Sequence, residues 1–110
     1  MKNFRTYQLA VEFFHVSEEL FLSRHLKDQL HRASSSIILN LAEGYGRQGR
    51  KEQRRFFTIA FGSLKESQAV LELVGSNTTE ARELADKLGA HLYRLINSFA
   101  DSTFSINVSH

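Results

Sequence analysis

Hydrophobic residues recur along this chain with the spacing of α-helices. In the first segment, from about Phe4 to Leu22, apolar side chains return every three or four residues, which places them on one side of a helix. The same pattern continues from about Leu26 to Tyr45, from about Arg50 to Val74 and from about Thr78 to Ala100. No segment alternates apolar and polar residues with the period of two that strands show. The pattern therefore predicts four helices.

The connections between these segments are short. A glycine cluster, Gly44–Gly49, separates the second helix from the third, and Gly75 ends the third. Asn77 is the predicted N-cap of the fourth helix. Short connections make consecutive helices antiparallel neighbours, so we predict an all-α, antiparallel up-down four-helix bundle over residues 1–100. Residues 101–110 are polar and aperiodic, and we expect them to form a disordered tail.

Two helices carry more apolar surface than one bundle core consumes. Each has a second apolar stripe beside its core stripe. On helix 1 this stripe is Tyr7, Val11, Phe14 and Phe21, and on helix 3 it is Ile59, Ser63, Val70 and Leu73. One interpretation is a broad core face filled by Phe rings. The other is burial against a second copy of the chain, which we favour because large exposed apolar patches are uncommon on soluble monomers.

Composition narrows the class of protein. The chain has 110 residues, enough for one domain, and lacks Cys, so it has neither a disulfide framework nor a thiolate metal site. No run approaches the roughly 20 apolar residues of a membrane span, and the N-terminus shows no signal peptide. We therefore expect a cytoplasmic protein without a membrane partner. The net charge of +2 and the isoelectric point of about 9.2 permit a nucleic-acid partner but do not require one.

Two motifs suggest chemistry that their context argues against. Gly44–Gly49 fits G-x-G-x-x-G, but that motif binds dinucleotides only between a strand and a helix, and here a helix precedes it. Glu12 and His15, like Asp28 and His31, have the spacing of di-metal bundle ligands. Both pairs lie opposite the apolar stripe of their helix and should point outward. We predict no catalytic, cofactor-binding or metal-binding residues, and hence no enzyme and no cofactor.

One cluster of basic residues stands out. We call it the basic patch, and it consists of Arg47, Arg50, Lys51, Arg54 and Arg55. It spans the glycine turn and the first turns of helix 3, with Tyr45 beside it. Clustered cations near an aromatic suit phosphate contact and base stacking. The alternative is a solvated cationic helix end. Because cations oppose the helix dipole at an N-terminus, we expect a carboxylate partner or a polyanion to favour them.

A polar line runs along helix 2 beside its core stripe. Its members recur at helical spacing and are Arg32, Ser36, Asn40, Glu43 and Arg47. Glu43 and Arg47 can pair at i, i+4 in the favourable order. Partly buried polar groups need partners, and Ser63 and Glu66 on helix 3 are the candidates.

These residues carry a family resemblance. The stretch from Arg32 through Glu66 resembles the four-helix-bundle family encoded within intervening sequences of bacterial 23S ribosomal RNA genes, and it is similar to accessory variability proteins of diversity-generating retroelements. The strongest blocks read N-L-A-E-G-Y-G-R and I-A-F-G-S-L-K-E. The signature residues are Asn40, Ala42, Glu43, Gly44, Gly46, Arg47, Gly62, Ser63 and Glu66. Gly49 stands where the family usually has Ser, which weakens the N-cap of helix 3.

The resemblance implies a ring-shaped homo-oligomer, commonly a homopentamer, without known enzymatic activity. Retroelement members bind nucleic acid and a reverse transcriptase, but they are far more basic than this chain. Two functions therefore stay open. The first is RNA or DNA binding through the basic patch of a homo-oligomer. The second is a protein-interaction module, in which the basic patch pairs with another subunit or a protein partner.

Overall fold

A computed structural model of the chain describes the backbone of residues 4–108 and the side chains of residues 4–99. It contains four helices, α1 (Phe4–Glu18), α2 (Arg24–Gly46), α3 (Arg50–Val74) and α4 (Thr79–Val108). Each helix packs on its two neighbours around the bundle, α1 on α2 and α4 and α3 on α2 and α4, with the closest packing between α2 and α3. The predicted all-α four-helix bundle is confirmed. No described helix has the length and apolar character needed to cross a bilayer.

The core consists of the stripes that helical spacing predicted. Its fully buried members include Phe13 on α1, Ile37 on α2, Leu64 on α3 and Leu88 on α4. Burial of each such side chain stabilises the fold by roughly 1.5–3 kcal/mol. The second stripes are divided between interior and solvent. Val70 is buried and four members are partly buried, whereas the remaining three are exposed, as are apolar side chains elsewhere. The exposed set includes Phe21 (101%), Leu39 (65%), Ile59 (41%) and Leu73 (74%).

The α1–α2 connection differs from the prediction. Helix 1 was expected to continue to Leu22, but α1 ends at Glu18 and α2 already begins at Arg24, with Ser23 as its N-cap. Lys27 explains the early end, because its Nζ donates to the backbone oxygens of Glu18 at 2.7 Å and of Leu20 at 3.1 Å. This cation satisfies carbonyls that a longer helix would have bonded internally.

The start of α4 also corrects the sequence analysis. Asn77 was predicted to be the N-cap, but it adopts a left-handed φ of 58°, and α4 begins at Thr79. Thr78 is buried, and its hydroxyl donates to the carbonyl of Gly75 at 3.0 Å. Asn is among the few residues that tolerate a positive φ, so it serves in the turn rather than at the cap. Gly75, at φ 79°, ends α3 as predicted.

The end of α4 lies further along the chain than expected. The backbone stays helical to Val108, whereas the sequence pattern placed the helix end near Ala100. The side chains of residues 100–110 and the backbone of residues 109–110 lie outside the described part of the chain. The disordered tail over residues 101–110 therefore stays a prediction.

One residue of the polar line on α2, Ser36, has its partner on α3. Ser36 Oγ lies 2.8 Å from Ser63 Oγ, as the sequence suggested, and Asn40 Nδ2 donates to the Ser36 carbonyl at 2.9 Å. Glu66 instead accepts from Gln29 Nε2 at 2.9 Å. The Ser36–Ser63 and Gln29–Glu66 bonds connect α2 to α3, whereas the bond of Asn40 lies within α2.

Gly44 allows the close approach of α2 and α3 near their connection. A Cβ built on Gly44 would lie 2.4 Å from Cε1 of Phe57. The Phe57 ring is fully buried and packs against Tyr45 and Phe99, with centroid distances of 5.1 and 5.5 Å. The first glycine of the G-x-G-x-x-G pattern thus has a packing role in the last turn of α2.

Candidate nucleic-acid interface

The basic patch lies where the α2–α3 turn meets the start of α3. Arg47 is the C-cap of α2, and Arg50 is the first residue of α3. Arg50 reaches across to α4, where its Nη2 donates to the carbonyl of Ser98 at 2.9 Å. Its guanidinium carbon also lies 4.7 Å from the ring centroid of Phe99. Arg50 therefore has a structural role in joining α3 to α4.

Two other arginines share one aromatic ring. The guanidinium carbons of Arg47 and Arg55 lie 4.9 and 5.3 Å from the ring centroid of Phe56. Arg47 pairs with Glu43 at 2.9 Å, as predicted, and Arg55 pairs with Glu52 at 3.6 Å. Both ion pairs are exposed, so each contributes at most about 1 kcal/mol to stability. The sequence analysis did not include Phe56 in the site; an aromatic residue within a run of cations is the signal that could have indicated it.

The remaining two cations of the basic patch are the most accessible to a ligand. Lys51 and Arg54 are exposed, and neither makes an ion pair with any side chain that the structure describes. They lie on the first turns of α3, whose N-cap, Gly49, makes no side-chain hydrogen bond. That weak cap agrees with the glycine substitution noted in the sequence. The uncapped N–H groups add partial positive charge to the two side chains.

Folding separates the charges of this chain along the bundle axis. The contacts of Arg50 with Ser98 and of Tyr45 with Thr6 bring the α2–α3 turn, the start of α1 and the later part of α4 to one end. At that end, basic side chains outnumber acidic ones among the described residues: the basic ones include Arg5, Arg47, Arg50, Lys51, Arg54, Arg55 and Arg94, and the acidic ones are Glu43 and Glu52. At the other end, acidic side chains outnumber basic ones: the acidic ones are Glu18, Glu19, Asp28, Glu66, Glu72, Glu80, Glu83 and Asp86, and the basic ones are Arg24, Lys27, Arg32 and Arg82. A small net charge thus conceals a basic end and an acidic end.

Six of the nine signature residues fall into two groups. Gly44 and Ser63 lie in the α2–α3 contact, and Asn40 donates to Ser36, the partner of Ser63. A second group, Ala42, Gly46 and Gly62, is exposed, and a Cβ at either glycine would meet no atom within 4 Å. Gly62 lies in the middle of α3, where Gly costs about 1 kcal/mol relative to Ala. Within one chain, nothing in the described structure explains that glycine.

Two titratable groups near this end have shifted pKa values. Burial raises the pKa of Tyr45 to about 12, although its hydrogen bond with Thr6 acts in the opposite direction. Desolvation lowers the pKa of His91, and the charges of Arg94, Arg5 and Lys87 add to that effect.

The histidine–carboxylate pairs point outward, as the sequence analysis predicted. Glu12, His15, Asp28 and His31 are all exposed, and His31 Nδ1 lies 3.0 Å from Glu18 Oε2. A shallow cavity of about 420 Å³ lies beside His31 and opens to solvent. Within the part of the chain that is described, no group of three or more such ligands is arranged to hold a metal ion.

Comparison with known proteins agrees with the resemblance in the sequence. The model of the 23S rRNA-intervening sequence protein family matches residues 4–101, which include α1, α2, α3, most of α4 and both signature blocks. No curated protein matches the chain. The matched family is not a known enzyme family.

Proposed function

Because the chain belongs to the 23S rRNA-intervening sequence protein family, we propose that it is a non-enzymatic, homo-oligomeric bundle that binds RNA or DNA through its basic patch. The observation that carries this proposal is the concentration of unneutralised positive charge at one end of the bundle. Lys51 and Arg54 supply that charge, and Arg47 and Arg55 border it.

The energetics favour a polyanion at this position. Each cation on the first turn of a helix opposes the helix dipole at a cost of some tenths of a kcal/mol. Glu52 offsets that cost for Arg55, and Ser98 engages Arg50. Arg47 does not incur the cost, because it lies at the C-terminus of α2, where the dipole favours a cation, and it pairs with Glu43. The described structure offers no such compensation to Lys51 or Arg54. A phosphate backbone would supply it, and it would release counterions when bound.

The test is fluorescence anisotropy with labelled mixed-sequence RNA and DNA over a range of salt concentrations. Affinity should fall steeply with salt, with a log–log slope of about −0.7 to −0.9 for each phosphate neutralised. Replacing Lys51 and Arg54 by Ala should reduce the magnitude of that slope by the contribution of about two phosphate contacts. Arg24→Ala, at the acidic end, is the matched control and should leave it unchanged. Absence of binding at low salt, or an unchanged slope in the double variant, would refute the proposal.

The proposed oligomer rests on the apolar side chains that one copy leaves uncovered. Ile59 and Leu73 lie on the solvent side of α3, and the exposed Gly62 lies between them in the chain. They recur at the spacing of a helix-packing seam together with Glu66 and Ala69. A mid-helix glycine with open space around it suits the close approach of a second helix. The proposed assembly is the homopentamer that the family resemblance implies.

Light scattering measures the oligomer directly. A homopentamer should have about five times the 12.6 kDa mass of one chain. Replacing Ile59 and Leu73 by Asp should lower the mass, whereas Thr58→Asp, at an exposed neighbouring position, should not. A mass of 12.6 kDa for the unaltered protein at every concentration would contradict the proposal.

The second candidate is a protein-interaction module, for example an accessory subunit of a reverse transcriptase. The exposed ion pairs of Arg47 and Arg55 favour it, because they could exchange their carboxylates for those of another chain. Reversing the charges of Arg54 and Arg55 would then dissociate the oligomer or the partner complex without any nucleic acid present. A cytoplasmic location, the expected setting for either function, stays a prediction.

A further inference from the structure

The groove between α3 and α4 begins at the basic patch and continues along the bundle. Its register is fixed at both ends, by Arg50 with Ser98 near the patch and by Gln68 with Asp86 further along. Between these contacts, Gly89 faces Leu64, because a Cβ there would lie 3.5 Å from Leu64 Cδ2. The α3 residues that border the groove are therefore those on the same side of the helix as Arg50 and Gln68.

Aromatic side chains border this groove on both helices. Arg82, Asp86 and Gly89 all contact α3, and Tyr93 continues the same stripe four residues further on. Tyr93 is 61% exposed, an unusual position for an aromatic side chain on a bundle surface. Across the groove on α3, Phe61 is partly buried, and Lys65 Nζ lies 5.0 Å from its ring centroid.

The same stretch of both helices is free of negative side chains. From Gln53 to Lys65 on α3, and from Lys87 to Phe99 on α4, the sequence has no Asp or Glu. Arg54 and Lys65 border the groove eleven residues apart on α3, a distance of about 16 Å along the helix. Glu66 follows Lys65 directly, but it is directed toward α2, where it accepts from Gln29 Nε2 at 2.9 Å. The carboxylates on the groove side of the two helices, Asp86 and Glu72, lie beyond Lys65, toward the acidic end of the bundle.

We infer that the α3–α4 groove binds single-stranded nucleic acid, with bases stacking on Tyr93 and phosphates lying near Arg54 and Lys65. This inference rests on the proposed function and narrows its ligand. An exposed aromatic ring between cations is the arrangement that single-strand binding uses, because every unpaired base offers a face for stacking. Paired bases in a duplex are stacked on one another and cannot reach the ring. RNA and single-stranded DNA share this chemistry.

The experiment compares three labelled probes of one mixed sequence: single-stranded RNA, single-stranded DNA and the DNA duplex. Tyr93→Ala should weaken binding of at least one single strand about fivefold or more, since one stacked base contributes about that much or more. The salt slope should not change, because no charge is removed. Tyr93→Phe keeps the ring and should bind normally. Phe21→Ala, which removes a fully exposed ring at the other end of the bundle, is the matched control.

Lys65→Gln tests independently whether the phosphates of the bound strand lie along the α3–α4 groove. It should reduce the salt slope for the single strand by about 0.7, the value of one phosphate contact on single-stranded nucleic acid. Arg24→Gln should not change the slope. Circular dichroism should show the same helix content for every variant, since all the altered side chains, Phe21, Arg24, Lys65 and Tyr93, are exposed.

The outcomes separate this inference from the function on which it rests. If no probe binds at low salt, both the proposed function and the groove fail. If probes bind but Tyr93→Ala has no effect, or if the duplex binds as tightly as the single strands, only the groove is refuted. A change of mass in Tyr93→Ala without a change in affinity would place Tyr93 in a protein contact, which also overturns the inference.

Discussion

Two glycines in neighbouring helices should respond in opposite directions to the same substitution. At Gly44, an added methyl group would lie 2.4 Å from Cε1 and 2.8 Å from Cδ1 of Phe57. Those distances require the ring to move, but Phe57 is completely buried and flanked by Tyr45 and Phe99. At Gly62, the same methyl group would meet nothing within 4 Å.

The magnitudes follow from two opposing effects. Ala is favoured over Gly inside a helix by about 1 kcal/mol, which applies to both positions. Overpacking a well-filled core typically costs 1–3 kcal/mol. Because the Phe57 ring is fully enclosed, the overpacking cost at Gly44 should lie in the upper part of that range. Gly44→Ala should therefore lower the free energy of unfolding by about 1–2 kcal/mol. Gly62→Ala should raise the free energy of unfolding by about 0.5–1 kcal/mol.

Urea unfolding followed by circular dichroism measures both effects. The two variants and the unaltered protein should be compared at one low protein concentration, because association changes the apparent stability. If Gly44→Ala is as stable as Gly62→Ala, the packing of Phe57 against the α2 backbone does not exclude a methyl group, and the argument is wrong. At higher concentration Gly62→Ala serves a second purpose, since a methyl group at a close helix contact should weaken the oligomer.

Three further measurements examine the bundle interior. In urea unfolding, Ser17→Ala should leave the free energy of unfolding unchanged or raise it by up to about 1 kcal/mol, because the buried Ser17 hydroxyl has no hydrogen-bond partner among the described atoms. A large loss of stability would show that the hydroxyl does make a hydrogen bond. Tyr45 should titrate near pH 12 when ultraviolet absorbance is followed, and titration near pH 10 would contradict this prediction. Because the pKa of Tyr45 is raised in the folded state, the free energy of unfolding should fall as pH rises from about 10 to 12. A double-mutant cycle of Ser36→Ala and Ser63→Ala should give a coupling of about 0.5–1.5 kcal/mol, and strictly additive effects would exclude the bond.

Helical spacing was sufficient to predict the helices and the core. The bounds of α3 agree with the prediction at both ends, because glycines flank it and no long-range contact is needed to end it. The end of α1 was wrong by several residues, because Lys27, on the next helix, provides the cap. The start of α4 was predicted to within one residue, but its N-cap was wrong, because Asn77 adopts a left-handed turn that Thr78 stabilises.

The candidate site was only partly accessible from sequence. Clustering in the chain identified all five residues of the basic patch, and i, i+4 spacing identified the pairing of Arg47 with Glu43. The anchoring of Arg50 on Ser98 and the groove beside Tyr93 could not be predicted. Both depend on how α3 and α4 are aligned, and the spacing of residues within one helix does not fix the register between two.

The sequence by itself determined the fold class of this protein, because the period of apolar residues selects helices and short connections make them antiparallel. It also determined the family, through two blocks whose order and spacing are visible in the chain. Only the tertiary structure decided which charges lie together. Antiparallel packing brings the ends of different helices to the same end of the bundle, so residues far apart in sequence, such as Arg5, Arg54 and Arg94, share one basic end while most carboxylates gather at the other. Net charge is a sum over the chain and cannot reveal that separation, which depends on distances in three dimensions.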